Sequence, residues 1–149
     1  MQNLSTTHQR EIKENNEIYI PAGNGKTNFI DVRDIAEIAF LALTEKNHKN
    51  KVYELTGSKS LTYYEIADIL TDKLNREITY KNPSVISFFI RKKKEGVNIV
   101  KIIVMIGLYT IAKLEMADKT TDEVKKLLGR EPISFNEFVN DYSYYWRKK

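Results

Sequence analysis

The 149-residue sequence contains no cysteine. Disulfides are thereby excluded, as are a thiolate nucleophile and a zinc–thiolate site. It has only two histidines, His8 and His48, so a multi-histidine metal centre is not expected, and no metal ligand is assigned. The N-terminus lacks a charged segment leading into an apolar one, so no secretory signal is visible. Together with the missing cysteine, this leads us to expect a cytoplasmic location. No long apolar run is present either. The stretch from Ile102 to Ala112 is bracketed by Lys101 and Lys113, and it falls well short of the about 20 residues that a bilayer span requires. A buried helix is expected there, and no membrane association. A strong charge of one sign is also absent. The formal net charge is +4, too mild to indicate a nucleic-acid partner. The one dense basic run, Arg91-Lys92-Lys93-Lys94, reads as a solvated helix end.

What is present is an ordinary globular composition, 42% hydrophobic and 30% charged, so order is expected throughout all but the ends. The length suits one domain. Glu17-Ile-Tyr-Ile20 has strand alternation. Pro21-Ala-Gly-Asn-Gly25 reads as a turn and Thr27-Asn-Phe-Ile30 as a second short strand, which makes Asn24-Gly25 the turn of a hairpin. A helix follows, capped by Asp31 or Asp34, with Ile35, Ile38, Ala39, Ala42 and Leu43 on one face. Residues 51–55 read as a strand. Thr62-Tyr-Tyr-Glu65, Thr120-Thr-Asp-Glu123 and Ser134-Phe-Asn-Glu137 each have the spacing of a capping box. Between them lie a short strand over 77–81, a helix over 84–94 and a longer, mostly buried helix over 98–117. Gly129 is placed to end the helix after Thr120. The last helix carries Phe135, Phe138, Val139, Tyr142 and Trp146 on one side.

Several stretches hint at chemistry. Gly25-Lys26-Thr27 resembles the end of a phosphate-binding loop, but the first glycine of that motif would fall at Ile20. The residues after it continue as strand, so no helix N-terminus is placed to receive a phosphate. Gly23 and Gly25 do not complete a dinucleotide fingerprint, because Asn28 stands where its third glycine would be. Tyr109 and Lys113 have the spacing of a reductase proton-transfer pair, yet they sit inside the apolar helix, where a core tyrosine and a snorkelling lysine explain them more simply. Asp31 and Asp34 could act as paired carboxylates, though capping accounts for them, with Arg33 as a local ion-pair partner. The cluster Tyr142, Tyr144, Tyr145 and Trp146 could stack on a ligand; a helix packing its aromatic face is the plainer reading. Strands are few and short, and helices dominate the second half. This is a helix-rich α/β pattern, and it reads as part of an α/β protein.

From Phe29-Ile-Asp-Val-Arg-Asp-Ile-Ala36 onward the sequence resembles the C-terminal half of NmrA-like, atypical short-chain dehydrogenase/reductase proteins. The likeness runs through Val52-Tyr-Glu-Leu-Thr-Gly57 and Leu61-Thr-Tyr-Tyr-Glu-Ile-Ala67. It continues through Asp122-Glu-Val-Lys-Lys-Leu-Leu-Gly-Arg-Glu-Pro132 and Ser134-Phe-Asn-Glu-Phe-Val139. Met1-Gln-Asn-Leu4 is similar to the family's loop bordering the active site. The resemblance implies the substrate-side part of an NAD(P)-binding Rossmann-like protein about twice as long. Its dinucleotide-binding half, with the glycine fingerprint, lies outside these residues. On that basis residues 1–149 form a single partial domain with a few short strands and about five to six helices. An expressed fragment, a truncated gene product and a start at an internal methionine all remain open as its origin. Asn3, Leu4 and Phe29 are expected to wall a small-molecule substrate pocket, with Asn3 either bonding a substrate carbonyl or capping its own loop. No cofactor is expected to bind this chain alone; NAD(P) would belong to the full-length parent, where a hydride would pass to a small carbonyl or quinone-type substrate. Residues 51–55 and the helix at 34–45 would pack on the large sheet, so the chain alone is expected to self-associate or to pair with its missing half. The alternative is a non-enzymatic, redox-sensing regulator that works through protein contacts.

Overall fold

A computed structural model describes residues 1–148. The α-helices are α1 (Gln9–Asn15), α2 (Val32–Thr44), α3 (Tyr63–Leu74), α4 (Val85–Lys94), α5 (Ile99–Lys113), α6 (Glu123–Leu128) and α7 (Phe135–Tyr142). The strands are β1 (Glu17–Tyr19), β2 (Lys26–Asn28), β3 (Ser60–Thr62) and β4 (Thr79–Lys81). A 3₁₀ turn over Gln2–Leu4 opens the chain, and another over Ser143–Tyr145 follows α7. This is the expected helix-rich α/β fold.

Local rules set the best-defined helix starts. Thr62 accepts the Glu65 N–H while the Glu65 carboxylate accepts the Thr62 N–H, closing a capping box on α3. Ser134 and Glu137 close the same box on α7. Asp31, not Asp34, caps α2 by accepting the Arg33 N–H at 2.9 Å. Asp34 is buried instead, where it binds Arg130 at 2.8 Å and accepts the Ile133 N–H at 2.9 Å. Gly129 ends α6 in the left-handed region, at φ +66°, which glycine adopts without a Cβ penalty.

Five expectations are corrected. First, no hairpin joins β1 to β2. β1 runs parallel to β4, with Ile18 opposite Tyr80, and β2 runs antiparallel to β3, with Thr27 opposite Leu61. The turn is held on β4 by the Tyr80 hydroxyl, which accepts from Ala22 N and donates toward the carbonyls of Ile20 and Gly23. A Cβ on Gly25 would collide with the Ala112 carbonyl, so this glycine serves the close approach of α5. Second, residues 51–55 pair with no strand among the described residues, and Val52 is 95% exposed. Third, the Thr120 box does not form. Asp122 occupies the cap position of α6 without a side-chain capping bond, pairing instead with Lys126, while Thr120 accepts from Asn28 and the Thr121 hydroxyl donates to the Glu54 carbonyl. Fourth, α5 is not mostly buried. Ile102, Met105 and Ala112 face inward, and the opposite side is exposed. Fifth, the basic run is not simply solvated. Lys92 is buried, and Arg91 lies 4.1 Å over the Tyr19 ring and pairs with Glu17 at 2.5 Å. One turn of α4 aims these two inward and leaves Lys93 and Lys94 exposed.

The main core joins Leu4, Ile12, Ile18, Ile20, Ile66, Leu70, Phe138 and Trp146, all with almost no exposed surface. A smaller cluster of Phe88, Ile102 and Met105 sits between α4 and α5, with Tyr109 packed against both.

Candidate functional site

The opening 3₁₀ turn is stitched to the β2–α2 connection. The Met1 amino group donates to the Ile30 carbonyl at 2.7 Å. The Gln2 side chain donates to Asp31 at 2.8 Å and accepts the Val32 N–H at 3.0 Å. Burial works against the Asp31 carboxylate, but the Arg33 and Gln2 hydrogen bonds outweigh it and hold its pKa below the usual carboxylate range. These bonds set the opening turn beside Phe29, although only Asn3 and Leu4 were singled out in that turn from sequence. Gln2 carries the anchoring, and its role depends on a partner 29 residues away that no local pattern reveals.

Phe29 meets Tyr63 edge-on, with centroids 5.7 Å apart, and Phe135 at 5.9 Å. It lines a cavity of about 150 Å³ together with Met1, Leu61, Ile69 and Phe135, and with Ser58, Lys59, Ser134 and Asn136. The Phe29 backbone is pinned from outside, because a Cβ on Gly57 would strike its carbonyl. Asn28 fixes the same edge, its amide bonded to both the N–H and the carbonyl of Gly57. The Lys59 side chain is exposed and 3.5 Å from Glu65. The result is a small aromatic cleft edged with hydroxyl, amide and ammonium groups. Asn3 is exposed on the opening turn. Leu4 is buried in the main core, and its carbonyl accepts the Trp146 indole N–H at 3.0 Å. The structure therefore brings Phe29 into a cavity, sets Asn3 on the turn alongside, and puts the Leu4 side chain beneath that turn.

A second polar constellation spans α1, α4 and α5. The Tyr109 hydroxyl is 2.5 Å from His8 Nε2, His8 Nδ1 is 2.5 Å from Glu11, and Glu11 accepts from Lys92 at 2.7 Å. Burial pushes the Tyr109 phenol up, and Tyr63 and Glu11 push it further. Its hydroxyl is thus committed to His8, while Lys113 is exposed on the same helix. Glu11, Lys92 and Met105 also line a cavity of about 280 Å³.

Gly23 and Gly25 lead into β2, not into a helix. The starts of α2, α3 and α7 hold Asp31 with Asp34, Glu65 and Glu137, charges that would repel a pyrophosphate from those helix termini. Among the described residues no helix is long and apolar enough to cross a membrane.

The fold is that of NAD(P)-binding reductases: the chain matches the C-terminal half of an NmrA-like member of that class. The agroclavine dehydrogenase of Claviceps fusiformis is 34% identical, over 98% of this chain and 52% of its own length. The NAD(P)H azoreductase of Xenophilus azovorans is 32% identical, over 96% of this chain and 50% of its own. Triphenylmethane reductase of Citrobacter sp., solved with NADP(H), superposes with a TM-score of 0.84 at 25% identity, over 95% of this chain and 50% of that one. The chain thus spans about half the length of the curated relatives it matches. No protein-family model matches it.

Proposed function

We propose that this chain is the substrate-side part of an NAD(P)-dependent oxidoreductase-like protein, in which a hydride passes between the nicotinamide and a small carbonyl or quinone-type substrate. The observation that carries this reading is the 34% identity to a dehydrogenase along nearly the whole chain. The cleft at Phe29 supplies a physical location for the substrate. Phe29 offers an aromatic wall, the Asn3 amide offers a donor to a substrate carbonyl, and Leu4 holds the opening turn in place from the core. The dinucleotide would supply the hydride and be seated by another half of the protein. Residues 1–149 then form one partial domain, inactive alone and working in the cytoplasm. The exposed side of α2, with Phe40 and Leu43, and the unpaired residues 51–55 would be covered by that other half or by a second copy.

Two titrations of the chain test this. NADPH fluorescence should show no saturable change, and saturable binding would overturn the division of labour. Ligand-observed NMR with a panel of small quinones should give saturation transfer that weakens about tenfold in affinity for Phe29→Ala, the size of one lost aromatic contact. An unchanged affinity would remove Phe29 from the pocket.

A further inference from the structure

Helix α5 has a second apolar side that its own chain does not use. Its inner side, through Ile102, Met105 and Ala112, packs into the fold. Its outer side carries Val100, Ile103, Val104, Ile111 and Leu114, which are between 43% and 69% exposed. Helical spacing puts Gly107 at the centre of that outer side, where a Cβ would meet nothing within 4 Å. Glycine in a helix interior is destabilising relative to alanine, and nothing among the described residues requires it. Thr110, also on that side, donates its hydroxyl to the Ile106 carbonyl and so presents its methyl outward.

The outer side is nearly symmetric in sequence about Gly107. Ile103 and Ile111 lie four residues to either side, Val100 and Leu114 seven. A two-fold interface requires such self-complementarity, since each residue must meet its mirror position on the other copy. We infer that α5 pairs antiparallel with α5 of a second copy of this chain, crossing at Gly107. Ile103 then meets Ile111, Val100 meets Leu114, and the two Gly107 backbones come into contact. The exposed stripe offers on the order of 600 Å² per copy, at the top of the about 300–600 Å² that a monomer ordinarily leaves exposed and, doubled, at the about 1,200 Å² lower bound of a specific complex. Each copy carries a net charge of +4, so two copies repel and screening by salt should tighten the pair. The inference rests on α5 alone and stands whether or not the cleft at Phe29 binds substrate.

Sedimentation velocity of the full chain should show a dimer, tighter at about 1 M than at about 0.01 M salt. Gly107→Leu keeps the stripe apolar but blocks the crossing, and it should weaken dimerisation at least about tenfold. Gly107→Ala controls for folding: it should raise the melting temperature under dilute, monomeric conditions while still weakening the dimer. With no native cysteine, disulfide trapping has no background. Mixed Val100→Cys and Leu114→Cys chains should cross-link to each other, and neither to itself. A monomer at about 100 μM overturns the inference, a concentration well above the dissociation constants of specific complexes. Self-linking of Val100→Cys and of Leu114→Cys without mixed linking, or trapping instead through Leu43→Cys on α2, does the same. So does a chain that stays monomeric and co-sediments with phosphatidylcholine vesicles.

Discussion

Replacing Lys92 with methionine separates charge from volume at a buried ion pair between α1 and α4. Methionine fills the space of the lysine stem but removes the ammonium that binds Glu11 at 2.7 Å and Glu95 at 2.9 Å. Glu95 is partly exposed and can turn to water. Glu11 is buried and keeps only His8 at 2.5 Å and the Tyr19 N–H at 3.2 Å. A buried carboxylate stripped of its partner costs about 3–5 kcal/mol, a large share of the stability of a small domain. Trp146 is the only tryptophan and is fully buried, so its fluorescence reports urea unfolding. With a slope of about 2 kcal/mol/M, the midpoint should fall by roughly 1.5–2.5 M. Adding Glu11→Gln removes the orphaned charge and keeps an acceptor for Tyr19, so the double variant should regain at least about half of the loss. The pH dependence follows from Glu11. Burial opposes its charged form, but His8 and Lys92 outweigh burial and hold its pKa below the usual range. Its contribution to stability is therefore present above the unfolded-state value of about 4.3 and is lost as pH falls through the folded value. The deficit of Lys92→Met should accordingly shrink below about pH 4.3. A midpoint that does not move, or a double variant no better than the single, would refute this account.

Three smaller perturbations follow from the turn and from β2. Gly25→Ala drives a methyl into the Ala112 carbonyl; calorimetry should show a loss of at least about 2 kcal/mol, from the overpacking at that contact. Tyr80→Phe leaves the buried Ala22 N–H without its partner at 3.2 Å, and urea unfolding should register about 1–3 kcal/mol. In the wild type, burial pushes that phenol up to about 12, so alkaline difference spectra should lack its ionisation below pH 11. Thr27 buries a hydroxyl that bonds to none of the described residues, so Thr27→Val should be neutral or stabilising by up to about 1 kcal/mol in the same unfolding assay.

The parts of this fold that are legible in sequence are those decided within one helical turn. The boxes at Thr62 and Ser134 close on neighbours three residues away, and Gly129 ends α6 by its own conformation. The hairpin failed because Asn24-Gly25 specifies that the chain turns, not which strand lies beside it; the choice of β4 rests on Tyr80, 58 residues from Ala22. The Thr120 box lost its hydroxyls to Asn28 and Glu54, competitors invisible to a local rule. Lys92 looked like its neighbours in a basic run, and only the phase of α4 against Glu11, 81 residues away, sets it apart. At the site, Phe29 was legible as part of a motif, but its walls Leu61, Ile69 and Phe135 come from three other elements, and the Gln2 anchor has no local signature. The outer side of α5 was misread as core because hydropathy counts apolar residues without saying what covers them.

The Arg76 guanidinium binds the carbonyls of Ile12 and Lys13 at the end of α1, and also that of Trp146, while the Trp146 indole reaches Leu4 across 142 residues of sequence. One side chain in the middle of the polypeptide thereby clasps both extremities. Such a closure has the greatest loop entropy to overcome, and it slows folding relative to a helical protein of local contacts. Quenching or recovery of the indole emission should consequently mark the final event of refolding, after the helices have already formed.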